Sequence, residues 1–264
     1  VWQAELPKEI SFYQAAIIDI DAERIFVVGA DSDKKTYIYN IKDKSIEQKS
    51  ETIEERRGCE IIKLKNGKLL IWGGYSSNDS IELYDINKDV FEKIPLGFKQ
   101  KFVYGNDKLY LLEDGRVVIK TTKMEDKKED GVGEYSSSIY NGTGYPVPYV
   151  VIYNPDDRTF KEIDINKNSK YKHDNNVSIV STSDGRIIIA GGLLVNKKRM
   201  KLNGYDNKIN FYNVKTNKLQ KSYGMKFDDT LSPYIYTLNN NEFIYVYGTD
   251  FGIDHKQRYH KLKI

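Results

Sequence analysis

Histidine and cysteine are the first residues to consider, because they supply most metal ligands and many acid–base or nucleophilic groups. The histidines are His173, His255 and His260, and no pair of them has a short metal-ligand spacing such as His-x-His. The single cysteine, Cys59, has no Cys-x-x-Cys partner and no identifiable base nearby. A buried structural thiol therefore fits Cys59 better than a nucleophile. The sequence predicts no metal site and no cofactor.

Arginine offers a second kind of chemistry, because a guanidinium can hold a carboxylate through two parallel hydrogen bonds. The pair Arg56-Arg57 and the separate Arg199 and Arg258 are candidates for such contacts. The competing interpretation, solvation at the surface, is the one we favour for each of them.

Acidic and amide side chains recur at one class of turn. Calcium loops need dense, regularly spaced oxygen ligands, which these turns lack. Capping of the turn by its own side chain explains the pattern better. The residues concerned are Asp43, Asp89, Asp157 and Asn217.

The candidate binding residues lie in or next to three stretches that interrupt the repeated unit described below and are called insertions here. Residues 123–148 place tyrosines among Ser, Gly and Asn, a composition typical of adaptable recognition loops. Further aromatic residues and arginines lie in residues 193–207 and 249–257 and at Arg258, which follows directly. The predicted binding residues are Tyr135, Tyr140, Tyr145, Arg199, Tyr205, Phe251 and Arg258. The competing interpretation is a set of surface loops that merely tolerate length.

A scaffold must hold these insertions, and the stretch from Gly58 to Leu96 shows its unit. Asn66-Gly67 separates two strand-like runs and predicts a tight hairpin with positive φ angles. Leu69 to Trp72 is continuously apolar, as expected for a strand buried on both faces. Ser80 to Ile86 and Val90 to Leu96 follow as two more strands, the last half-exposed. The stretch predicts a four-stranded antiparallel meander.

The same unit recurs along the chain. The second strands read RIFVVGA, KLLIWGG, RVVIKTT, RIIIAGG and EFIYVYG, and each third strand carries an aligned tyrosine. Those tyrosines are Tyr39, Tyr84, Tyr153, Tyr212 and Tyr259. A repeat of ~40–50 residues is typical of propeller blades, and insertions account for the longer intervals.

This pattern resembles the kelch-repeat family. The resemblance rests on Gly73-Gly74, on Gly191-Gly192, on the tyrosines followed by Asp or Asn, and on the aromatic-to-proline ending from Phe91 to Pro95. It covers essentially the whole chain and implies one β-propeller domain, residues 1–264, of four-stranded antiparallel blades around a central channel. Kelch-like propellers serve as scaffolds, receptors and occasionally enzymes.

The family's enzymes provide a comparison for catalysis. Its copper-radical sugar oxidases would imply a cysteine–tyrosine crosslink and two ligand histidines, and the chain shows no recognisable version of that motif. Its sialic-acid mutarotases would need only a few acid–base groups in the central pocket, so the sequence leaves that activity open.

The repeat count favours five blades. The fifth unit reaches Ile264 after three strands, and VWQAELP at residues 1–7 resembles a fourth strand that would close the last blade. The alternative is a fragment of a six- or seven-bladed propeller. All three insertions lie between second and third strands, which predicts one elaborated face and one plain face, and loops on a rigid scaffold commonly carry binding.

The composition of the chain limits the classes of partner that it is expected to bind. With 39% hydrophobic and 30% charged residues the chain reads as a soluble globular protein, and a net charge of +3 is too balanced to indicate nucleic acid. No stretch approaches the ~20 apolar residues of a membrane span. The start at Val1 predicts that an upstream portion was removed, and together with the single cysteine it favours an extracytoplasmic site over others, although the compartment is left open.

The sequence therefore predicts a non-catalytic interaction or scaffold module that binds a macromolecule, above all a protein, through the elaborated face. Two alternatives stay open. One is a glycan-binding or sugar-modifying propeller, and the other is a structural subunit of a larger assembly.

Overall fold

The protein is built from β-strands joined by turns. The computed structural model of the chain describes residues 10–30, 34–74, 80–96, 107–126, 144–163, 165, 171–173, 177–196, 202–205, 208–216, 218–224, 234–239, 242–247 and 258–263. Within those ranges all regular structure is strand, and no helix is long and apolar enough to cross a membrane. The all-β class predicted from the sequence is confirmed.

Backbone contacts divide the chain into two compact units, Val1–Leu109 and Tyr110–Ile264. The first unit contains two four-stranded antiparallel sheets, each a meander in chain order. The first sheet consists of β1 (Ala16–Asp19), β2 (Arg24–Ala30), β3 (Lys35–Asn40) and β4 (Ile46–Gln48). The second sheet consists of β5 (Glu60–Lys63), β6 (Leu69–Trp72), β7 (Ser80–Asp85) and β8 (Val90–Pro95).

The second unit contains the remaining sheets, with strands numbered in chain order. The third sheet consists of β9 (Lys108–Leu111, which begins just before this unit), β10 (Val117–Asp126), β11 (Gly144–Asn154) and β12 (Thr159–Ile163). The fourth consists of β14 (Ser178–Ser181), β15 (Arg186–Ala190), β18 (Lys208–Asn213) and β19 (Lys218–Gly224), and the fifth of β20 (Tyr234–Asn239), β21 (Glu242–Tyr247) and β22 (Arg258–Lys263). A small additional sheet consists of β13 (Tyr171–His173), β16 (Leu193–Asn196) and β17 (Leu202–Tyr205).

The strand pattern read from the sequence is confirmed in the second sheet. Leu69 to Trp72 forms β6 and is buried along its whole length, as expected for a strand covered on both faces. β8 is half-exposed, as expected for the outermost strand. The aligned tyrosines all lie in third strands, namely β3, β7, β11, β18 and β22.

The hairpin turn at Asn66-Gly67 differs from the prediction. Gly67 alone has a positive φ, at 82°, so the turn contains one left-handed residue where two were expected. Its N–H donates to the Leu64 carbonyl at 3.0 Å, and the Asn66 side chain accepts from the Lys68 N–H at 3.1 Å. The bond from the glycine N–H to the carbonyl three residues earlier recurs at 112–116 and 182–186, each with a positive-φ glycine.

Hydrophobic cores form where neighbouring sheets pack face to face. In the first unit, the Phe26 ring of β2 stacks on the Tyr84 ring of β7, with centroids 4.7 Å apart. The residues of this core include Ile20, Phe26, Val28, Ile38, Cys59, Leu69, Ile71 and Tyr84. In the second unit, the third and fourth sheets share a core that includes Val118, Val150, Ile152, Ile179, Ile187, Ile189 and Tyr212. The first and second sheets therefore stabilise each other, as do the third and fourth.

Two glycines allow the chain segment between β4 and β5, residues 49–58, to approach the sheets closely. A Cβ atom on Gly29 would lie 2.6 Å from the Arg56 carbonyl oxygen, and one on Gly74 would lie 2.9 Å from the Glu55 carbonyl oxygen. Both glycines have positive φ, at 74° and 117°. We call residues 49–58 the connector, and these glycines fix its path over the first unit.

The fifth sheet shows three strands within the described residues. The fourth strand predicted from residues 1–7 lies outside those residues. Closure by that strand, the count of five blades and the single-domain assignment therefore stay predictions.

Candidate functional site

The first predicted insertion, residues 123–148, is built as an extension of paired strands. β10 and β11 pair without a break from Val117↔Tyr153 to Asp126↔Gly144. Residues 123–126 and 144–148 are therefore strand, which corrects the prediction of one long loop, and only 127–143 lie outside the described residues. β12 pairs with β11 only from Val150 to Asn154. The hairpin formed by β10 and β11, here called the long hairpin, thus extends beyond β12.

The long hairpin is firmly held at its base. Val117, Val118 and Ile119 of β10 are fully buried, and the polar Thr121 and Thr122 that follow them are buried too. These threonines stand where other second strands end in Gly-Gly or Gly-Ala. Burial of these residues limits the motion of the start of β10, from which the long hairpin continues.

The second insertion, residues 193–207, also corrects the expectation of a loop. It forms the β16–β17 hairpin, with Leu193 opposite Tyr205 and Val195 opposite Leu202. β13, from the segment that follows the third sheet, pairs with β16 through Tyr171↔Asn196 to His173↔Leu194. β13 also lies beside β11. The two insertions are therefore brought to the same region of the second unit.

The predicted binding residues divide into two groups. Tyr145 lies in β11 opposite Glu125, Tyr205 in β17 opposite Leu193, and Arg258 begins β22 opposite Tyr247, which corrects its placement in a loop. Tyr135, Tyr140, Arg199 and Phe251 lie outside the described residues. Binding by any of the seven stays a prediction.

The position of Arg56 contradicts both interpretations made from the sequence, namely a surface arginine and an arginine that holds a ligand carboxylate. Its guanidinium is neither solvated nor available to a ligand. Its side chain is fully buried and makes five hydrogen bonds. Nε donates to Glu82 Oε1 at 2.8 Å, and Nη1 donates to the Gly73 carbonyl at 2.9 Å. The remaining bonds go to Ser80 and Glu54. The carboxylate that Arg56 holds belongs to its own chain.

Glu82 completes this buried pair and was missed by sequence reasoning. Its two carboxylate oxygens accept the backbone N–H groups of Ile53 at 2.8 Å and Glu54 at 3.0 Å, besides the Arg56 guanidinium. The available signal was a single acidic residue within the apolar run Ile81 to Tyr84. Burial of a charge requires a partner, so Glu82 itself indicated a buried cation.

Asp89 links the connector to the second sheet rather than capping its own turn. Its Oδ1 accepts the Tyr84 hydroxyl at 2.7 Å and the Ser50 N–H at 3.0 Å. Burial acts to raise the pKa of the Asp89 carboxyl, but the hydrogen bonds from Tyr84 and Ser50 and the charge of Lys49 outweigh it, so the pKa lies below its ordinary value. Burial and the bond to Asp89 raise the pKa of the Tyr84 hydroxyl.

Other turn aspartates behave as the capping interpretation predicts. Asp43 accepts the N–H of Ser45 at 2.9 Å, and Asp157 accepts that of Thr159 at 3.0 Å. Within the described part of the chain, no group of three or more His, Cys, Asp or Glu side chains is placed to hold a metal ion. Asn217 lies outside that part.

Cys59 is buried in the core of the first unit. Burial, more than any neighbouring charge, raises the pKa of its thiol to about 12. A thiol with that pKa stays protonated near neutral pH and is a poor nucleophile. The structural role inferred from the sequence agrees with this environment.

Comparison with known proteins bears on the fold. No protein-family model matches the chain, and no curated protein matches it. Among solved structures, that of YjhT is similar, with a TM-score of 0.52 over 89% of this chain and 71% of its own chain. The chain has a β-propeller fold. At 11% sequence identity the similarity speaks for the fold alone. The four-stranded meanders are its blades, and the kelch-repeat assignment stays a prediction.

Proposed function

We propose that this propeller is a non-catalytic interaction module that binds a protein partner through the long hairpin and the neighbouring β13–β16–β17 sheet. The observation that supports this most is the construction of the insertions. Both continue as paired strands, and β13 brings them to one region of the second unit. A loop that merely tolerated length would need no such framework.

The chemistry of the long hairpin suits recognition of a protein surface. The sequence between its two strands, residues 127–143, includes Tyr135 and Tyr140 among serines, glycines and an asparagine, and Tyr145 lies in β11. Tyrosine supplies a large, rigid contact area with a polar end, so it contributes affinity at a low cost in conformational entropy. A partner would dock on these side chains while the buried base keeps the hairpin in place.

A rigid base also favours binding energetically. A recognition element that is already ordered loses less conformational entropy on binding than a free loop. The burial of Val117 to Ile119 and of the two threonines keeps the start of β10 ordered without a partner.

A capture experiment tests the proposal. Wild-type protein and a variant with Tyr135→Ser, Tyr140→Ser and Tyr145→Ser are used as baits in extracts of the source cells, with mass-spectrometric readout. The matched control is Tyr13→Ser, which removes a 69%-exposed tyrosine of the first unit. We expect a partner that wild type and the Tyr13 variant retain and the triple variant loses. Each bait is first shown to unfold cooperatively.

The other outcomes would overturn the proposal in different ways. A partner held equally by all three baits would place the interface elsewhere and favour a structural subunit of a larger assembly. Capture of no protein, with binding in a panel of sugars, would favour the glycan-binding alternative. Arg56 would play no direct part in that activity, because its five hydrogen bonds are made within the chain.

A further inference from the structure

Two prolines occupy alternate positions in the part of β11 that extends beyond β12. They are Pro146 and Pro148, and pairing of β11 with β12 begins only at Val150. In an antiparallel sheet, alternate residues of a strand direct their backbone N and C=O groups towards the same neighbour. The two proline nitrogens therefore lie on the same edge of β11.

The pairing with β10 shows which edge this is. Pro146 lies opposite Met124 and Pro148 opposite Thr122, within a register that has no break. Proline has no N–H, so a proline nitrogen directed at β10 would interrupt the ladder at both places. The nitrogens therefore point to the outer edge, which β12 occupies further along the strand.

A strand lies close to β11 without joining its sheet. β13 lies beside β11 but pairs with β16 in the separate small sheet. An added strand needs alternating donors and acceptors along the edge, and at 146 and 148 the edge offers acceptors only. We infer that Pro146 and Pro148 close the outer edge of the long hairpin to strand addition, both by β13 and by an extended segment of another molecule.

This closure restricts the kind of partner that the long hairpin can bind. The consequence rests on the proposed function: a partner contacts the hairpin through side chains on its faces and does not add a strand to its edge. A protein that presents a folded surface fits this requirement, whereas an extended peptide that binds by backbone pairing does not. The closed edge also prevents the part of β11 beyond β12 from pairing with a second copy of the chain.

The test uses the full chain without any partner, so its result is independent of the capture experiment. The variant Pro146→Thr/Pro148→Thr restores both N–H groups. Hydrogen exchange at residues 146 and 148 and analytical ultracentrifugation are measured over a range of protein concentrations. The control is Pro155→Thr, which removes a proline from the turn between β11 and β12.

We expect exchange at 146 and 148 to be slowed about fivefold or more relative to unstructured peptide, as for a hydrogen-bonded amide. The protection should come with concentration-dependent association, or with new protection at Tyr171–His173 if β13 is the strand that joins. The Pro155 variant should show neither change.

Two results would overturn the inference. Unprotected amides at 146 and 148 would mean that the opened edge attracts no strand. Protection without association and without any change in β13 would mean that these nitrogens face β10. If the double variant does not fold, Pro146→Thr and Pro148→Thr are measured singly, since each restores one N–H and is judged by the same outcomes.

Discussion

At the scale of single residues, the Arg56–Glu82 pair carries the strongest energetic consequence. Both side chains are fully buried, so loss of Arg56 removes the cation that faces the Glu82 carboxylate, whereas loss of Glu82 leaves Arg56 with Glu54 at 3.5 Å. Breaking such a pair typically costs ~3–5 kcal/mol. We expect Arg56→Met to lower the free energy of unfolding by about that amount, measured from urea transitions.

A double-mutant cycle separates the pair from its surroundings. The loss in Arg56→Met/Glu82→Leu should be clearly smaller than the sum of the two single losses, because no unpaired charge remains. The exposed pair Arg24–Asp21 is the control, and Arg24→Ala should cost less than ~1 kcal/mol. Additive losses at Arg56 and Glu82 would show that the two charges do not stabilise each other.

Asp89 predicts a pH dependence of stability. Its pKa is lower in the folded protein than in the unfolded chain, so its contribution is fully present above the unfolded pKa, about 3.9, and is lost as the pH falls through the folded value. Asn tolerates the positive φ of 52° at this position, so Asp89→Asn removes the charge with little added strain. The difference in urea midpoint between wild type and Asp89→Asn should be constant at neutral pH and shrink below about pH 4. A difference independent of pH would contradict this role.

The sequence indicated some of these residues and missed others. The burial of Trp72 and the inert character of Cys59 followed from local pattern. The role of Arg56 did not, because its partners Glu82 and Gly73 are 26 and 17 residues away and are brought to it by the path of the connector. Contacts of that range are set by tertiary packing, which local periodicity does not contain.

At the scale of elements, the close approach of the connector to Gly29 gives a prediction with a matched control. Gly29 and Gly67 have similar positive φ, at 74° and 82°. A Cβ on Gly29 would lie 2.6 Å from the Arg56 carbonyl oxygen, whereas a Cβ on Gly67 would meet nothing within 4 Å. Gly67→Ala should cost only the left-handed backbone term, ~1–2 kcal/mol.

Gly29→Ala should cost ~1–3 kcal/mol more than Gly67→Ala, since overpacking adds to the same backbone term. Urea unfolding of the two variants, compared with wild type, checks this difference. Equal losses would mean that the connector can move aside without cost.

The hairpins of the blades could be predicted because turn residues separate apolar runs of strand length. The extension of β10 and β11 could not. Residues 123–126 are Lys-Met-Glu-Asp and 144–148 include Gly144, Pro146 and Pro148, all weak or unfavourable for a strand by composition. Their pairing depends on continuation from the buried base of the hairpin, and the prolines are tolerated because they lie on an outer edge.

At the scale of the whole molecule, the repeat of second and third strands was sufficient to predict the propeller. The aligned tyrosines marked each repeat in spite of insertions, and Gly-Gly or Gly-Ala endings marked three of the five. The number of blades was harder, because the evidence for a closing strand comes from one short segment at residues 1–7. Function was harder still, since the same scaffold supports many kinds of site.

The most direct test of the account is a hydrogen-exchange footprint of this protein with the partner that it captures. The account predicts slower exchange on binding in peptides that cover 123–148 and 193–207. It also predicts no change at the turns that precede β10 and β15, residues 112–116 and 182–186. Protection confined to those turns, with the two insertions unaffected, would contradict the claim that the long hairpin and its neighbouring sheet form the binding site.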